Sequence, residues 1–303
     1  MKMIKFLMIS LLSILCLSHP VFAEIKTVAS LPDLAYITKQ IGGNKVSVFS
    51  LAKGYQDPHQ VDLKPSFMLK LSEANFFVLM GLELEVWARD LIEGSRNVNL
   101  ALGAPGYVDC SEGINVLEVP SVVSRSMGDV HPLGNPHYNL DPLSGKTIAR
   151  NIYNALVRQY PQFQDYFKNN LENFDSELDK NFSRWIKEAA PLKGLKVITY
   201  HKSWEYFAHR FGIDIVGQIE PKPGIPPSPA QVTRVIELMN LNNAKIIIME
   251  PYFDDHIPNL IASKTGAKVL KLPNMVGAFP GEDSYFSMFD YIISHLTKAA
   301  EKG

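Results

Sequence analysis

The chain contains little cysteine and no excess of charge of either sign. Only two of its 303 residues are cysteines, which excludes a disulfide framework and a metal site built from four thiolates. The 30 basic and 31 acidic side chains nearly cancel, which excludes a strongly basic nucleic-acid-binding protein and an acidic disordered tail. With 46% hydrophobic residues, the chain has the composition of a globular protein with one or two well-packed domains.

Long apolar runs are absent, apart from one near the amino terminus. Two lysines precede the apolar residues 6–17, and a small residue, Ala23, ends the segment. This pattern is typical of a secretory signal peptide over residues 1–23, and the run is shorter than the about 20 residues that span a membrane. Cys16 follows the bulky Leu15, which is unfavourable for a lipoprotein site. We therefore expect a periplasmic protein without a lipid anchor.

Short apolar segments of strand length alternate with helical patterns in both halves of the chain. The predicted strands are residues 25–30, 46–51, 76–80 and 98–102 in the first half, and 196–200, 213–216, 245–249 and 268–272 in the second. Continuous apolar strands that alternate with helices are typical of a parallel sheet covered on both faces. The sequence therefore predicts an α/β protein with two doubly wound lobes, over residues 24–142 and 190–303.

The segment between the lobes, residues 143–189, has a different pattern. It contains no strand-like run, and its apolar positions recur at spacings of three and four residues. This pattern predicts a long rigid linking helix, or two helices of which Pro161 opens the second. A rigid connection would limit the motion of the lobes, whereas a helical addition to one domain fits the pattern equally well.

Four side chains suited to metal binding lie near the predicted strand ends. His59, His201 and Asp283 follow strands, and His137 lies where the first lobe meets the linking segment. Ligands of open parallel sheets bind at the carboxyl ends of strands, so we expect these four to converge in a cleft between the lobes. Three imidazoles and one carboxylate suit tetrahedral Zn²⁺, whereas a Mn²⁺ site would be expected to contain more carboxylates. Each residue alone also has a structural explanation, such as a helix cap for Asp283.

Several motifs occur in an order that resembles a known family. They are Asp57-Pro58-His59, Asn135-Pro136-His137 with Leu140-Asp141-Pro142, Tyr200-His201-Lys202-Ser203-Trp204, Glu220-Pro221 with Gly224 and Ser228-Pro229-Ala230, and Gly281 with Asp283-Ser284-Tyr285. In this order, over the whole chain after residue 23, the sequence resembles the zinc/manganese class of ABC-importer solute-binding proteins. The resemblance implies two lobes joined by a long rigid helix and one divalent ion in the cleft between them.

The same resemblance implies a function and a set of ligands. The protein would be a binding protein, not an enzyme, that delivers its ion to a membrane permease, with His59, His137, His201 and Asp283 as ligands. The third ligand is histidine where manganese-type members often have glutamate, which favours zinc. We expect a monomer that does not bind nucleic acid, and a zinc metallochaperone is a second candidate partner.

One departure from the family pattern concerns a loop in the first lobe. Many zinc-binding members have a long loop rich in histidine and acidic residues, whereas residues 119–132 contain only Asp129 and His131 of these types. His131 is therefore either an auxiliary ligand that binds the ion transiently during capture or an ordinary loop residue.

Other functions remain open at the level of the sequence. A manganese- or iron-specific protein of the same class is one alternative. A secreted zinc hydrolase, with three ligands and a bound water, belongs to a different class, but the chain lacks HExxH and GxSxG motifs. A surface adhesin would need an anchor or an exposed binding module.

Overall fold

The computed structural model describes residues 24–121, 131–220, 222 and 224–301. The predicted signal peptide with Cys16, and Asp129 of the first-lobe loop, lie outside these residues. Within the described residues, no helix is both long and apolar enough to cross a membrane.

The first lobe is built on a four-stranded parallel sheet. Its strands are β1 (Ile25–Ala29), β2 (Val46–Ser50), β3 (Phe76–Leu79) and β4 (Tyr107–Asp109), in the order β2-β1-β3-β4, with helices α1 (Pro32–Gly42), α2 (Pro65–Ser72) and α3 (Ala88–Ser95). All four residues of β3 are buried, as expected for a central strand covered on both faces. Helix α1 opens with a proline, whose missing amide hydrogen costs nothing in a first turn, and buries its apolar stripe against the sheet.

Two helices follow the first lobe. Helix α4 (Ser144–Gln159) ends before a short 3₁₀ turn at Pro161–Phe163, and α5 (Gln164–Glu188) continues for 25 residues. Proline lacks the amide hydrogen that would continue α4, so the break falls where the two-helix form of the prediction put it. Helix α5 is the long one, and it packs against α1, α4 and the last helix of the chain.

The second lobe repeats the arrangement of the first. Its strands are β5 (Lys196–Thr199), β6 (Asp214–Gln218), β7 (Ile246–Met249) and β8 (Lys268–Lys271), in the order β6-β5-β7-β8, with helices α6 (Glu205–Phe211), α7 (Pro229–Asn242), α8 (His256–Thr265) and α9 (Tyr285–Ala300). The prediction of two doubly wound parallel lobes is confirmed. The domain boundaries at residues 142 and 189 remain a prediction, because one continuous hydrophobic core contains residues of both lobes and of the linking helices.

One predicted strand is wrong. Residues 98–102 do not form the fourth strand: Val98–Leu100 is a 3₁₀ turn, and the strand is β4, which begins at Tyr107. The Asn97 side chain accepts a hydrogen bond from the amide of Asn99, which caps the turn. Val98 and Leu102 are 85% and 84% exposed, so their apolar character does not reflect burial in a sheet.

The short segment that contains His137 is fixed to both lobes. The Asn139 side chain donates hydrogen bonds to Asp33 Oδ1 at 3.3 Å and to the carbonyl of Asn274 at 2.8 Å. Farther along, Arg210 of α6 donates two hydrogen bonds to the Asp141 carboxylate. These contacts hold the segment rigidly at the junction of the lobes.

Candidate metal centre

Three of the four predicted ligands come together between the lobes. One ring nitrogen each of His59, His137 and His201 lies within 4.8 Å of the other two. The ring centroids form a nearly equilateral triangle, with separations of 5.1, 5.2 and 5.3 Å. His137 and His201 are buried, and His59 is partly exposed. The arrangement therefore offers three imidazoles to one small ion.

Carboxylates fix the orientation of two of these rings. Asp57 Oδ1 lies 2.9 Å from His59 Nδ1 and also accepts a hydrogen bond from the His59 amide. Glu220 Oε2 accepts a hydrogen bond from His201 Nδ1, and its other oxygen accepts one from the amide of Gly224 at 2.8 Å. A carboxylate on Nδ1 leaves the lone pair on Nε2 and raises the basicity of the ring as a metal ligand. His59 and His201 thus present Nε2 to the centre.

His137 presents the same nitrogen in a different way. Its Nε2 is buried and has no hydrogen-bond partner among the described residues. A buried polar nitrogen without a partner is costly unless something else binds it. The amide of His137 donates to Asn135 Oδ1 at 3.0 Å, which fixes the backbone from which the ring projects. The orphaned nitrogen is therefore available to bind a metal ion.

The order of the strands explains the acidic surroundings of His201. His201 follows β5, Glu220 follows β6, and Glu250 follows β7, and β6 and β7 are the two neighbours of β5 in the sheet. Their carboxyl ends meet at one edge, so two carboxylates flank the imidazole. Glu250 is fully buried and accepts a hydrogen bond from Trp204 Nε1 at 3.1 Å. Sequence reasoning did not assign roles to Asp57, Glu220 or Glu250; an acidic residue just after each neighbouring strand is the signal that could have identified the last two.

These surroundings act differently on the titration of each ring. Burial lowers the pKa of His137 well below its usual range, since a charged imidazole is disfavoured away from water. Burial also opposes protonation of His201, but the hydrogen bond to Glu220 and the charge of Glu250 outweigh it, so the pKa of His201 is raised. Burial raises the pKa of Asp57, but its contacts with His59 outweigh that effect and lower it overall. Asp57 and Glu220, which contact the rings directly, thus supply negative charge that favours a cation in the site.

His131 of the first-lobe loop lies beside the triangle. Its Nε2 is 3.2 Å from His59 Nε2, and the two rings are stacked with centroids 5.2 Å apart. The His137 ring is 6.2 Å away. Burial lowers the pKa of His131 to about 3, so the ring is neutral at physiological pH.

Asp283, the fourth predicted ligand, is not gathered with the histidines. Its side chain is exposed, and it is not part of the cluster found among the residues that the structure describes. The preceding residue, Glu282, is 2% exposed instead, and its carboxylate accepts a hydrogen bond from the amide of Phe279 at 3.3 Å. Ser284 then caps α9 through a capping box, which fixes the chain on the other side of Asp283. Ligation by Asp283 stays a prediction that this turn does not favour.

A small cavity opens beside the centre. It has a volume of about 220 Å³ and is lined by His59, His201, Glu220 and Phe253, among others. This volume is below the roughly 300–1,000 Å³ that is typical of pockets for drug-sized ligands.

Comparison with known proteins gives a family and several relatives. Residues 27–299 match the sequence model of a family described as "Zinc-uptake complex component A periplasmic". The manganese ABC transporter substrate-binding lipoprotein PsaA of Streptococcus anginosus is 23% identical over 289 residues, which cover 92% of this chain and 90% of that protein. The high-affinity zinc uptake system protein ZnuA of Yersinia pestis is 24% identical over 297 residues, which cover 93% of each. The relatives are thus named for two different metals.

The fold has the same relatives. A crystal structure of ZnuA superimposes with a TM-score of 0.77 and 26% identity, and the match covers 92% of this chain and 100% of that one. The streptococcal relative is named a lipoprotein, so the expectation that this chain lacks a lipid anchor is not supported by it.

Proposed function

Since the chain belongs to the family of periplasmic zinc-uptake components A, we propose that it captures one zinc ion and delivers it to the permease of an ABC importer. Members of this family are metal-binding substrate-binding proteins of ABC transporters and are not enzymes, which removes the secreted hydrolase as an alternative. The choice of zinc, the ligands, and a periplasmic location after removal of residues 1–23 are parts of the proposal.

The observation that carries the choice of zinc is the set of donor atoms. His59, His137 and His201 offer three imidazole nitrogens within 4.8 Å of one another, and no carboxylate belongs to the same cluster of described residues. Neutral imidazoles suit Zn²⁺, whereas Mn²⁺ prefers sites rich in carboxylates, carbonyls and water. The carboxylates of Asp57 and Glu220 contact the Nδ1 side of the rings, where they fix the orientation of the imidazoles as ligands.

The burial of the donors supports capture at low free zinc. His137 and His201 are 3% and 4% exposed, and the segment that contains His137 is fixed to both lobes. Rings that are already oriented lose little entropy when the ion binds, which favours affinity. His59 lies in an irregular loop and is the most exposed of the three, so we propose that local movement of this loop admits and releases the ion.

Mutation of the buried histidine tests the proposal. His137→Ala should lose most of the zinc affinity measured by calorimetric titration of the metal-free protein, and uptake of radioactive zinc should fail in a strain that has only this variant. His209→Ala removes an exposed histidine of α6 and should behave as the wild type in both assays. Full zinc affinity in His137→Ala would overturn the assignment of the site, and full manganese affinity with weak zinc binding in the wild type would make manganese the cargo.

A further inference from the structure

The triangle of histidines leaves one corner of a tetrahedron open. Structural zinc sites have four protein ligands as a rule, whereas catalytic zinc sites typically have three protein ligands and a water molecule in the fourth position. A transport site that must retain its ion therefore calls for a fourth donor, and the turn at Asp283 does not bring its carboxylate to the histidines.

We propose that His131 is this fourth ligand, so that four imidazoles enclose the ion and Asp283 does not bind it. The inference rests on the proposed function and specifies its ligand set. It gives His131 a permanent place in the bound state instead of a transient one during capture.

The spacing of two nitrogens carries the proposal. His131 Nε2 and His59 Nε2 are 3.2 Å apart. Two imidazole nitrogens on one zinc, each about 2.0–2.1 Å from the metal at a tetrahedral angle, lie about 3.3–3.4 Å from each other. The observed separation is thus close to one edge of the tetrahedron that a zinc ion would require. His131 does not belong to the 4.8 Å cluster of His59, His137 and His201, so its ring must move toward the other two rings when the ion binds.

The partners on the far sides of these rings support the same interpretation. His59 Nδ1 contacts Asp57, and the His131 ring makes a hydrogen bond to the backbone of Glu83. When each ring donates its N–H on that side, the lone pairs of both Nε2 atoms point toward one another. Two facing lone pairs repel, and a cation between them removes the repulsion.

The backbone around His131 is built to hold the ring in place. His131 and His137 belong to one short segment, in which the carbonyl of His131 accepts a hydrogen bond from the amide of Gly134 at 3.1 Å. Asn135 bonds through its amide to the carbonyl of Leu117 and through its side chain to the carbonyl of Lys202 in the second lobe. Both histidines therefore project from a turn that is anchored at several points.

Counting imidazoles on the bound zinc tests the proposal. X-ray absorption of the zinc-loaded protein should show four imidazoles in the wild type, three in His131→Ala, and four in the control Asp283→Ala. Zinc affinity should fall at least about tenfold in His131→Ala, because loss of a residue that only supports a metal ligand already costs about that much. In Asp283→Ala, zinc affinity should stay within about twofold of the wild type. His131→Gln, which retains a polar side chain, provides a second variant if the alanine variant does not fold.

The outcomes separate this proposal from the one on which it rests. Unchanged zinc binding and imidazole count in both His131 variants would overturn it, and loss of affinity in Asp283→Ala alone would make Asp283 the fourth ligand. Undiminished zinc binding in His59→Ala would contradict the site itself, and with it the proposed function.

Discussion

Glu220 offers a sharp test of how the protein tunes its metal site. The carboxylate is buried beside His201, accepts a hydrogen bond from Nδ1 of that ring, and is held by the amide of Gly224. Loss of a carboxylate that supports a metal-binding histidine typically costs about 10–100-fold in affinity, or about 1.4–2.7 kcal/mol. Glu220→Gln keeps an oxygen that can accept a hydrogen bond from Nδ1, so its loss of zinc affinity should be near the lower limit of this range. Glu220→Ala also removes the contact that orients the His201 ring, so its loss of zinc affinity should be near the upper limit.

The pH dependence separates this electrostatic role from a general loss of structure. The raised pKa of His201 means that zinc must displace a proton as the pH falls, so the affinity of the wild type decreases through that raised pKa. In Glu220→Gln the negative charge of Glu220 is absent, so the pKa of His201 is lower than in the wild type. The decrease in zinc affinity therefore begins at a lower pH. The zinc dissociation constant of Glu220→Gln divided by that of the wild type, both measured by competition with a chelator, should therefore be larger at pH 8 than at pH 6. Exposed Glu237→Gln is the control. Equal affinities of Glu220→Gln and the wild type at both pH values would refute this reasoning.

Three further predictions concern stability. Zinc at 100 times its dissociation constant should stabilise the folded state by about 2.7 kcal/mol and raise the Tm of the metal-free protein by roughly 5–10 °C in calorimetry; no shift would contradict a site that exists only in the folded chain. Burial raises the pKa of Glu85 from 4.5 to about 7, so its ionisation costs stability as the pH rises between these values, by about 3 kcal/mol at most. In Glu85→Gln the unfolding free energy, measured with urea, should thus change less between pH 4.5 and 7.5 than it does in the wild type. If the unfolding free energy of the variant depended on pH as steeply as that of the wild type, Glu85 would not be the group responsible. Gly54→Ala would bring a Cβ within 2.3 Å of the carbonyl oxygen of Val276 and should lower the unfolding free energy by about 1–3 kcal/mol; a stability equal to the wild type would show that the loop adapts.

The sequence predicts those features of the site that depend on local pattern. Apolar segments of strand length identify seven of the eight strands. The rule that ligands gather at the carboxyl ends of parallel strands selects His59 and His201, which the structure brings together, but also Asp283, which is not in their cluster; His137 is selected by its position at the junction of the first lobe and the linking segment. The prediction of a strand at 98–102 is wrong because the apolar residues of this segment belong to an exposed, capped turn. The amino-acid sequence alone does not show whether an apolar residue is exposed or buried.

The remaining features depend on geometry that no local pattern determines. Whether Glu282 or Asp283 faces inward is decided by the turn after Phe279 and by the cap at Ser284, where a shift of one residue exchanges the two carboxylates. Glu220 meets His201 only because β6 is the neighbour of β5, and strand order is a property of the whole sheet. His131 contacts His59 across 72 positions of the chain.

Metal competition at equilibrium tests the central claim most directly. The metal-free protein is dialysed against equal concentrations of Zn²⁺ and Mn²⁺, and the ions retained per chain are counted by elemental analysis. A site made of His59, His137 and His201 predicts one zinc per chain and almost no manganese, and loss of that zinc in His201→Ala. Manganese in place of zinc, or one zinc still bound to His201→Ala, would contradict the account.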